Sequence, residues 1–126
     1  MKIIIVGDGK VGFTLAEHLS REDHDVTIID TRDEALQRAS DTLDVMCVKG
    51  NGASLATLRE AGAENADILI AATNLDEINM ICCLTAKRLG TKYTINRGPT
   101  EDYTGQLATR TTMTDIEQIT TSENPN

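Results

Sequence analysis

The stretch IIIVGDGKVG, residues 3–12, decides the fold class. Four apolar residues, Ile3 to Val6, stop at a set of glycines with the spacing G-x-G-x-x-G. These glycines are Gly7, Gly9 and Gly12. A continuous apolar run is typical of a strand buried on both faces, as in parallel sheets, and the apolar residues that follow recur at helical spacing up to Leu19. The stretch therefore predicts a strand, a tight turn and a helix in direct succession.

The rest of the chain repeats this alternation. Apolar runs predict strands at residues 2–6, 26–30, 45–48, 67–72 and 92–95. Helical patterns fill the segments between them, at residues 12–20, 33–40, 54–62 and 76–90, with Ser54 as an N-cap and Gly62 just past a helix end. The order βαβαβαβαβ predicts an α/β fold, a doubly wound parallel sheet of the Rossmann type with right-handed crossovers.

Composition excludes several classes of protein. A chain of 126 residues suits one domain, and its net charge of −8 argues against nucleic acid or an acidic membrane surface as a direct partner. No apolar run approaches the roughly 20 residues that a membrane span needs. Three cysteines without Cys-x-x-Cys spacing argue against a disulfide framework or a zinc site, so we expect no metal and buried free thiols.

The glycines and Asp30 together indicate a nucleotide site. Gly7 permits the turn, Gly9 has no Cβ and leaves room for a phosphate, and Gly12 lets the helix pack close to the strand. Asp30 ends the second predicted strand, where a carboxylate accepts hydrogen bonds from both hydroxyls of an adenosine ribose. The alternative is that the glycines only form a tight βα turn.

Asp30 also bears on which nucleotide is bound. Its charge repels a 2′-phosphate, so NADP is expected less than NAD. Arg32 follows two residues later, and three interpretations stay open: it lies over the adenine, it reaches a phosphate, or it is a solvated surface charge.

Two further strand ends should line the same crevice, because ligands bind at the carboxyl ends of parallel strands. The small-residue loop 49–54 follows the third strand, and residues 72–79 follow the fourth. Thr73 and Asn74 are expected to face a phosphate or the linking ribose. Glu77, at the start of the next helix, either contributes to the site or stabilises the helix N-terminus.

Catalytic patterns are missing from the sequence. Neither tyrosine has a lysine four residues later, and His18 and His24 fall away from the strand ends. This favours a nucleotide sensor over an enzyme. Two alternatives remain: the nucleotide-binding half of an NAD-dependent oxidoreductase, and a Rossmann-like scaffold with an empty site.

Three segments carry a resemblance to a known family. MKIIIVGDGKVGFTLAEHLS (1–20), VTIIDT (26–31) and above all TLREAGAENADILIAATNLDEINM (57–80) closely resemble the N-terminal RCK (KTN) domains of the TrkA family. The resemblance covers roughly residues 1–95. It implies binding of NAD(H) or ATP/ADP, assembly into dimers or rings, and regulation of a membrane potassium transporter or channel from the cytoplasmic side of the membrane.

The resemblance and the motifs give one set of candidate nucleotide-binding residues. They are Gly7, Asp8, Gly9, Lys10, Val11, Gly12, Asp30, Thr31, Arg32, Asn51, Gly52, Ala72, Thr73, Asn74, Glu77 and Arg97. Arg97 enters as the counterpart of the first arginine in the family's usual Ile-Ala-Arg-Ile-Arg strand. This chain reads Ile-Asn-Arg-Gly-Pro there, so the second arginine has no counterpart.

The end of the chain differs in character. Residues 1–98 are expected to form the nucleotide-binding domain, and residues 99–126 a polar, Thr-rich tail with either a weak helix around 113–119 or a mobile chain. The family's sixth strand is not recognisable, so we expect five to six strands in a chain that is either a fragment or a short relative.

The helix predicted at residues 76–90 holds more apolar residues than one core-facing stripe uses. One side of it therefore needs a cover. A second copy of the chain would provide one and would make the protein a homodimer, and the tail folding back is the alternative.

Overall fold

The structure, a computed structural model, describes residues 1–98 and 105–123. These residues form a five-stranded, all-parallel sheet in the order β3-β2-β1-β4-β5, which confirms the predicted fold class. The strands are β1 (Lys2–Val6), β2 (Asp25–Asp30), β3 (Met46–Lys49), β4 (Ile68–Ala71) and β5 (Tyr93–Asn96). The helices are α1 (Lys10–Arg21), α2 (Asp33–Thr42), α3 (Leu55–Glu60), α4 (Asp76–Leu89) and α5 (Gly105–Glu123), with a 3-10 turn at Ala63–Asn65.

The central strand β1 is buried on both faces. Ile3 and Ile5 face a core formed with α1, α2 and α5, whereas Ile4 and Val6 face a second core formed with α3, the 3-10 turn and α4. The three isoleucines are 0% exposed. Burial of an aliphatic side chain of this size contributes about 1.5–3 kcal/mol, so the run that predicted the strand also anchors both layers.

Most predicted boundaries agree with the structure to within two residues, and the differences have local causes. Helix α1 begins at Lys10 and not at Gly12, because Gly9 already has the extended backbone of an N-cap residue. Ser54 is the predicted N-cap of α3, and its Oγ accepts a hydrogen bond from the backbone N–H of Thr57 over 3.4 Å. Helix α3 is short because Gly62, with a φ of 89°, turns the chain into the 3-10 segment.

Helix α5 lies against α1, on the face of the sheet opposite α4. Ile116 is 3% exposed in that core. Where the sequence left a weak helix and a mobile chain both open, the structure has a helix over Gly105–Glu123. The parts of the predicted tail at 99–104 and 124–126 lie outside the described residues.

The cysteines are free, and Cys82, on the inner face of α4, is fully buried. Burial raises the pKa of the Cys82 thiol to about 12, so it is protonated and unreactive at neutral pH. In the described part of the chain, no helix combines the length and the apolar character needed to cross a bilayer. No group of three metal-ligating side chains assembles there either.

Candidate nucleotide-binding site

All five parallel strands end at the same edge of the sheet, and a cavity of about 490 Å³ opens there beside the ends of β1, β2, β3 and β4. Val6 pairs with Ile29 and with Ala71 in register, so the turns that follow β1, β2 and β4 come together. Ten of the sixteen candidate residues line this cavity. They are Gly7, Gly9, Asp30, Thr31, Arg32, Asn51, Gly52, Ala72, Thr73 and Asn74. The volume is in the range of small-molecule and cofactor sites.

The glycine turn has the geometry that its spacing predicts. Gly7 has a φ of 101°, and a Cβ there would lie 2.8 Å from the carbonyl oxygen of Ala72. Gly12 packs against the Gly7 carbonyl so closely that no Cβ fits. Around Gly9, in contrast, no atom lies within 4 Å of the position that a Cβ would take. Two glycines are therefore needed for the fold, and the third leaves open space at the cavity.

Asp30 is at the end of β2 and is 8% exposed. Its Oδ2 accepts the backbone N–H of Asp8 over 2.7 Å, and its Oδ1 accepts the backbone N–H of Arg32 over 2.9 Å. The Arg32 guanidinium adds Nε to Oδ1 and Nη2 to Oδ2, each at 3.1 Å. Burial alone would raise the pKa of the Asp30 carboxyl, but the hydrogen bonds from Arg32 and Asp8 lower it. The carboxylate is therefore ionised at neutral pH.

Asn79, on α4, holds the loop between β4 and α4. It is 0% exposed, and its Oδ1 accepts from the backbone N–H and the hydroxyl of Thr73, at 3.0 and 2.7 Å. Its Nδ2 donates to the Thr73 carbonyl over 3.0 Å. One side chain thus bonds the backbone N–H, the carbonyl and the hydroxyl of Thr73, and fixes this wall of the cavity.

Asp8 is the residue between the first two glycines, and its side chain is 0% exposed. Neither carboxyl oxygen has a hydrogen-bond partner. Burial raises the pKa of the Asp8 carboxyl to about 6, against the opposing effect of Arg38. The Asp8 carbonyl oxygen accepts hydrogen bonds from Nη2 of both Arg32 and Arg38, each at 3.2 Å. An unpaired carboxyl therefore lies beneath two exposed guanidinium groups.

Comparison with known families agrees with this geometry. The sequence model of the TrkA-N domain family matches residues 3–116 of the chain. The chain belongs to the TrkA-N domain family. The match extends past residue 98, where the sequence alone placed the end of the domain, and into α5.

Individual relatives and solved structures are also similar to this TrkA-N domain. The Trk system potassium uptake protein TrkA of Halomonas elongata is 50% identical over 101 residues, 80% of this chain and 21% of that protein. The chain thus spans about a fifth of the length of that relative. The TrkA-N domain of the inner membrane protein ybaL from Escherichia coli is 25% identical, with a TM-score of 0.69 and coverage of 86% of this chain and 79% of that one.

A third comparison concerns a channel. The GsuK channel bound to NAD superposes with a TM-score of 0.65 at 21% identity, over 85% of this chain and 20% of that one. At this identity the similarity shows the shared fold alone.

Six candidate residues of this TrkA-N domain are not among those that line the cavity. They are Asp8, Lys10, Val11, Gly12, Glu77 and Arg97. The Asp8 side chain is buried beneath the glycine loop, and Gly12 packs on Gly7. Val11, in the first turn of α1, packs against the core, so its side chain turns away from the cavity.

The other three candidate residues lie outside the cavity lining for different reasons. Lys10 is exposed at the start of α1. Glu77 is exposed in the first turn of α4, where an acid stabilises the positive end of the helix dipole. Arg97 turns toward α5: its Nε donates to the Thr112 hydroxyl over 2.7 Å, and its Nη2 pairs with the Asp115 carboxylate.

Sequence reasoning also missed several residues of the site. The cavity lining includes the apolar strand-end side chains Val6 and Ile29 and, from the other wall, Leu75 and Ile78. Periodicity assigned such residues to the core, since an apolar side chain in a strand or helix gives no separate signal for a cavity. Asn79 had one signal in the sequence: its polar amide falls on the side of α4 that packs against the sheet, where a buried polar group needs hydrogen-bond partners.

Asp8→Asn is expected to change how stability depends on pH. The folded-state pKa near 6 exceeds the ordinary value of 3.8, so the folded protein binds this proton more tightly than the unfolded chain. The free energy of unfolding should therefore fall as pH rises from about 4 to 6, by at most about 3 kcal/mol, and stay lower above pH 6. The asparagine amide carries no charge, so the variant should be more stable than the wild type at pH 8 and equally stable at pH 4.

Urea unfolding between pH 4 and 8 measures this difference. Asp44→Asn, at an exposed carboxylate, is the matched control and should leave the pH profile unchanged. A difference between Asp8→Asn and wild type that does not vary with pH would contradict the buried, titrating carboxyl.

Asn79→Ala is expected to lower the free energy of unfolding by about 1–3 kcal/mol per buried polar group left without a partner. The backbone N–H of Thr73 would lose its acceptor, and the β4–α4 loop would lose its fixed geometry. Chemical denaturation measures the loss. Asn74→Ala, at an exposed residue of the same loop, should change stability by less than about 0.5 kcal/mol. Equal effects of the two substitutions would contradict the assigned role of Asn79.

Proposed function

We propose that this TrkA-N domain binds an adenine nucleotide, NAD(H) or ATP/ADP, and thereby regulates a membrane potassium uptake transporter or channel. The observation that carries the proposal is the cavity at the carboxyl edge of the sheet, with the open space at Gly9 on one side and the ionised Asp30 on the other. The fold match to the GsuK channel bound to NAD supports a dinucleotide.

The site supplies complementary groups for each part of such a ligand. A phosphate would occupy the space at Gly9, where the first backbone N–H groups of α1 have no intrahelical partners and the helix dipole favours an anion. The ribose hydroxyls would bind the Asp30 carboxylate at the end of β2. The apolar side chains of Val6, Ile29 and Ile78 give the cavity surfaces against which a base or ribose can pack.

A regulatory role suits this site better than catalysis. Among the described residues that line the cavity, no side chain is a histidine, tyrosine, lysine or cysteine that could transfer a proton or attack a substrate. The alternative, half of an NAD-dependent oxidoreductase, has a direct test. Oxidation of NADH with a panel of ketones, followed at 340 nm, should show no turnover.

The partner we propose is the membrane subunit of a potassium transport system. The support is the 50% identity to a Trk system potassium uptake protein, of which this chain covers 21%. The domain would then act at the cytoplasmic face of the membrane through that subunit. A nucleotide that binds one assembly geometry more tightly than another shifts the population toward that geometry.

Helix α4 offers the surface for assembly with a second copy. Met80, Ile81 and Leu84 are 64%, 47% and 60% exposed, although all three are large apolar side chains. Helix α5 packs on the opposite face of the sheet and so does not cover them. Contiguous apolar patches are uncommon on monomers, which favours a protein contact here.

The charges on the same helix favour a two-fold symmetric pair. Asp76 and Glu77 lie in the first turn of α4, and Arg88 lies in its last turn. Two antiparallel copies would bring the acidic end of each helix to the basic end of the other, as an isologous contact requires. We therefore propose a homodimer that pairs through α4.

Gly9→Val is expected to abolish nucleotide binding while the fold survives. A Cβ at this position meets nothing, and the backbone there has an ordinary negative φ of −83°. The valine side chain would occupy the space proposed for the phosphates. In thermal shift assays, wild type with ligand at 100 times its Kd should gain about 2.7 kcal/mol, and the variant should gain nothing.

Unliganded Gly9→Val should melt close to the wild type, which separates loss of binding from loss of folding. Gly12→Ala is the contrasting variant, since a Cβ there collides with the Gly7 carbonyl, and it should melt at a clearly lower temperature. Undiminished binding by Gly9→Val would show that the glycine loop does not hold the phosphates.

Met80→Glu is expected to shift the protein from dimer to monomer, because it places a charge without a partner in a dry apolar contact. Light scattering after size exclusion, at tens of micromolar protein, measures the mass. Met46→Glu is the matched control: Met46 is 65% exposed, on the edge strand β3, and should not affect assembly. A monomeric wild type, or a Met80→Glu variant that stays dimeric, would contradict pairing through α4.

A further inference from the structure

The carboxyl group of Asp8 has no role in the proposed nucleotide contacts. Asp8 lies between Gly7 and Gly9, which both line the cavity, but its side chain turns beneath the loop and is 0% exposed. Neither carboxyl oxygen has a hydrogen-bond partner. Burying a carboxyl group without hydrogen bonds is costly, and native proteins satisfy most buried polar side chains. An unpartnered acid inside a loop that borders a ligand cavity therefore needs an explanation.

Charged and titratable groups from the neighbouring strands and from α2 act on this carboxyl. Arg38 of α2 and Arg32, just before α2, favour its ionised form, whereas the Asp30 carboxylate at the end of β2 opposes it. On β3, the pKa of the Cys47 thiol is raised, first by its own burial and then by the charge of Asp8. Burial of Asp8 outweighs the two guanidiniums, and the pKa of its carboxyl rises to about 6. The group therefore changes its charge near neutral pH, where an ordinary aspartate does not.

The start of α1 accommodates one negative charge more readily than two. Its first backbone N–H groups have no intrahelical partners, and the positive end of the helix dipole stabilises an anion there. An ionised Asp8, one residue before the N-cap residue Gly9, already lies in this field. A phosphate at Gly9 would bring a second anion to the same helix end, with only the loop backbone between the two. Lys10, in the first turn of α1, is exposed, so water screens its charge.

Two anions at one helix end behave as a coupled pair. When two acidic groups share a site, the pKa of one is raised, because the charge of each opposes ionisation of the other. Salt and water screen such a repulsion less when one of the groups is buried, as Asp8 is. A bound phosphate should therefore raise the pKa of Asp8 above its value in the unliganded domain. By linkage, protonation of Asp8 should strengthen phosphate binding by the same factor.

We propose that the Asp8 carboxyl is a proton-operated switch of the nucleotide site, so that the domain binds the phosphates of its nucleotide tightly when this carboxyl is protonated and more weakly when it is ionised. The inference rests on the proposed nucleotide-binding function and adds regulation by pH to it. Acidification favours the nucleotide-bound state, and nucleotide binding takes up a proton from solution. The coupling requires no contact between Asp8 and the ligand, since it acts through the electric field across the glycine loop.

Calorimetric titration with NAD between pH 5.5 and 8.5 tests the switch. NAD is the suitable probe because its pyrophosphate keeps the same charge over this range. The affinity should be highest below about pH 6 and should fall by roughly five- to tenfold toward pH 8.5, the change expected if bound NAD raises the pKa of Asp8 by about 1. An affinity for NAD that stays constant over this range would overturn the proposal.

Proton uptake tests the same coupling without a variant. At pH 6.5, titrations in two buffers with different ionisation enthalpies should show uptake of about half a proton per NAD bound. The reason is that the carboxyl is mostly ionised in the unliganded domain and mostly protonated in the complex. Binding of NAD without proton uptake would contradict the switch.

Two variants assign the effect to this carboxyl. Asp8→Asn keeps the shape of the side chain without its charge, and it should bind NAD at every pH with the low-pH affinity of the wild type and take up no proton. Asp33→Asn is the matched control: it removes one charge at the start of α2, where the Asp33 side chain is 78% exposed and pairs with Lys49. The control should keep the wild-type dependence on pH. An Asp8→Asn variant that keeps this dependence, or an Asp33→Asn variant that loses it, would overturn the assignment to Asp8.

The outcomes separate this inference from the proposed function. ADP is the second probe, and because its terminal phosphate titrates at about pH 6, the quantity compared is the difference between wild type and Asp8→Asn. If wild type binds NAD or ADP without a pH dependence that requires Asp8, only the switch fails. If wild type and variants bind neither ligand at any pH, the proposed function fails and the inference with it.

Discussion

The burial of β1 on both faces is the constraint on which the rest of this structure depends. A strand of alternating polarity can leave one of its faces in solvent. Ile3, Ile4 and Ile5 are apolar on both faces, so helices must cover the sheet on each side. The sheet is therefore doubly wound, and its strands are parallel, with their carboxyl ends at one edge. The apolar run must end where the chain turns into α1, and Gly7 and Gly12 make that turn tight enough for the helix to return over the sheet. The cavity is a consequence of this geometry, since turns leave the sheet edge in opposite directions on either side of β1.

The sequence was sufficient for the elements because each depends on local signals. Apolar runs give the strands, and Ser54 and Gly62 mark helix ends through their own backbone chemistry. It was insufficient where a side chain has a choice of partners at long range. Arg97 directly follows β5, and its position after a strand end made it a candidate for the site. Its side chain instead pairs with Asp115 and Thr112 of α5, a helix whose position the sequence left open. Val6 and Ile29 likewise belong to a core and also line the cavity. The apolar character of a residue predicts burial but does not distinguish these two environments.

Asp30 shows the same limit at the level of a single residue. Its position at the end of β2 was predictable, and so was its ionised state. The occupation of all its acceptor sites was not, because it depends on the Arg32 rotamer and on the Asp8 backbone N–H, which tertiary folding brings within 2.7 Å. Asp8 differs in kind: a carboxyl buried without hydrogen bonds opposes stability, and such groups are retained at functional sites more often than elsewhere. The buried Asp8 carboxyl lies beneath the glycine loop, next to the cavity proposed to bind a nucleotide.

Helix α4 connects the cavity with the surface proposed for assembly. Its inner face holds Thr73 through Asn79 and contributes Ile78 to the cavity, and its outer face exposes Met80 and Leu84. A ligand that contacts the β4–α4 loop would act on a helix whose other side is the surface proposed for pairing, so the coupling that we propose needs no longer pathway. Linkage makes such coupling reciprocal: a nucleotide that favours the paired state must itself bind the paired state more tightly, by the same factor. The apparent affinity for the nucleotide would then depend on the concentration of the domain, which would link nucleotide binding to assembly.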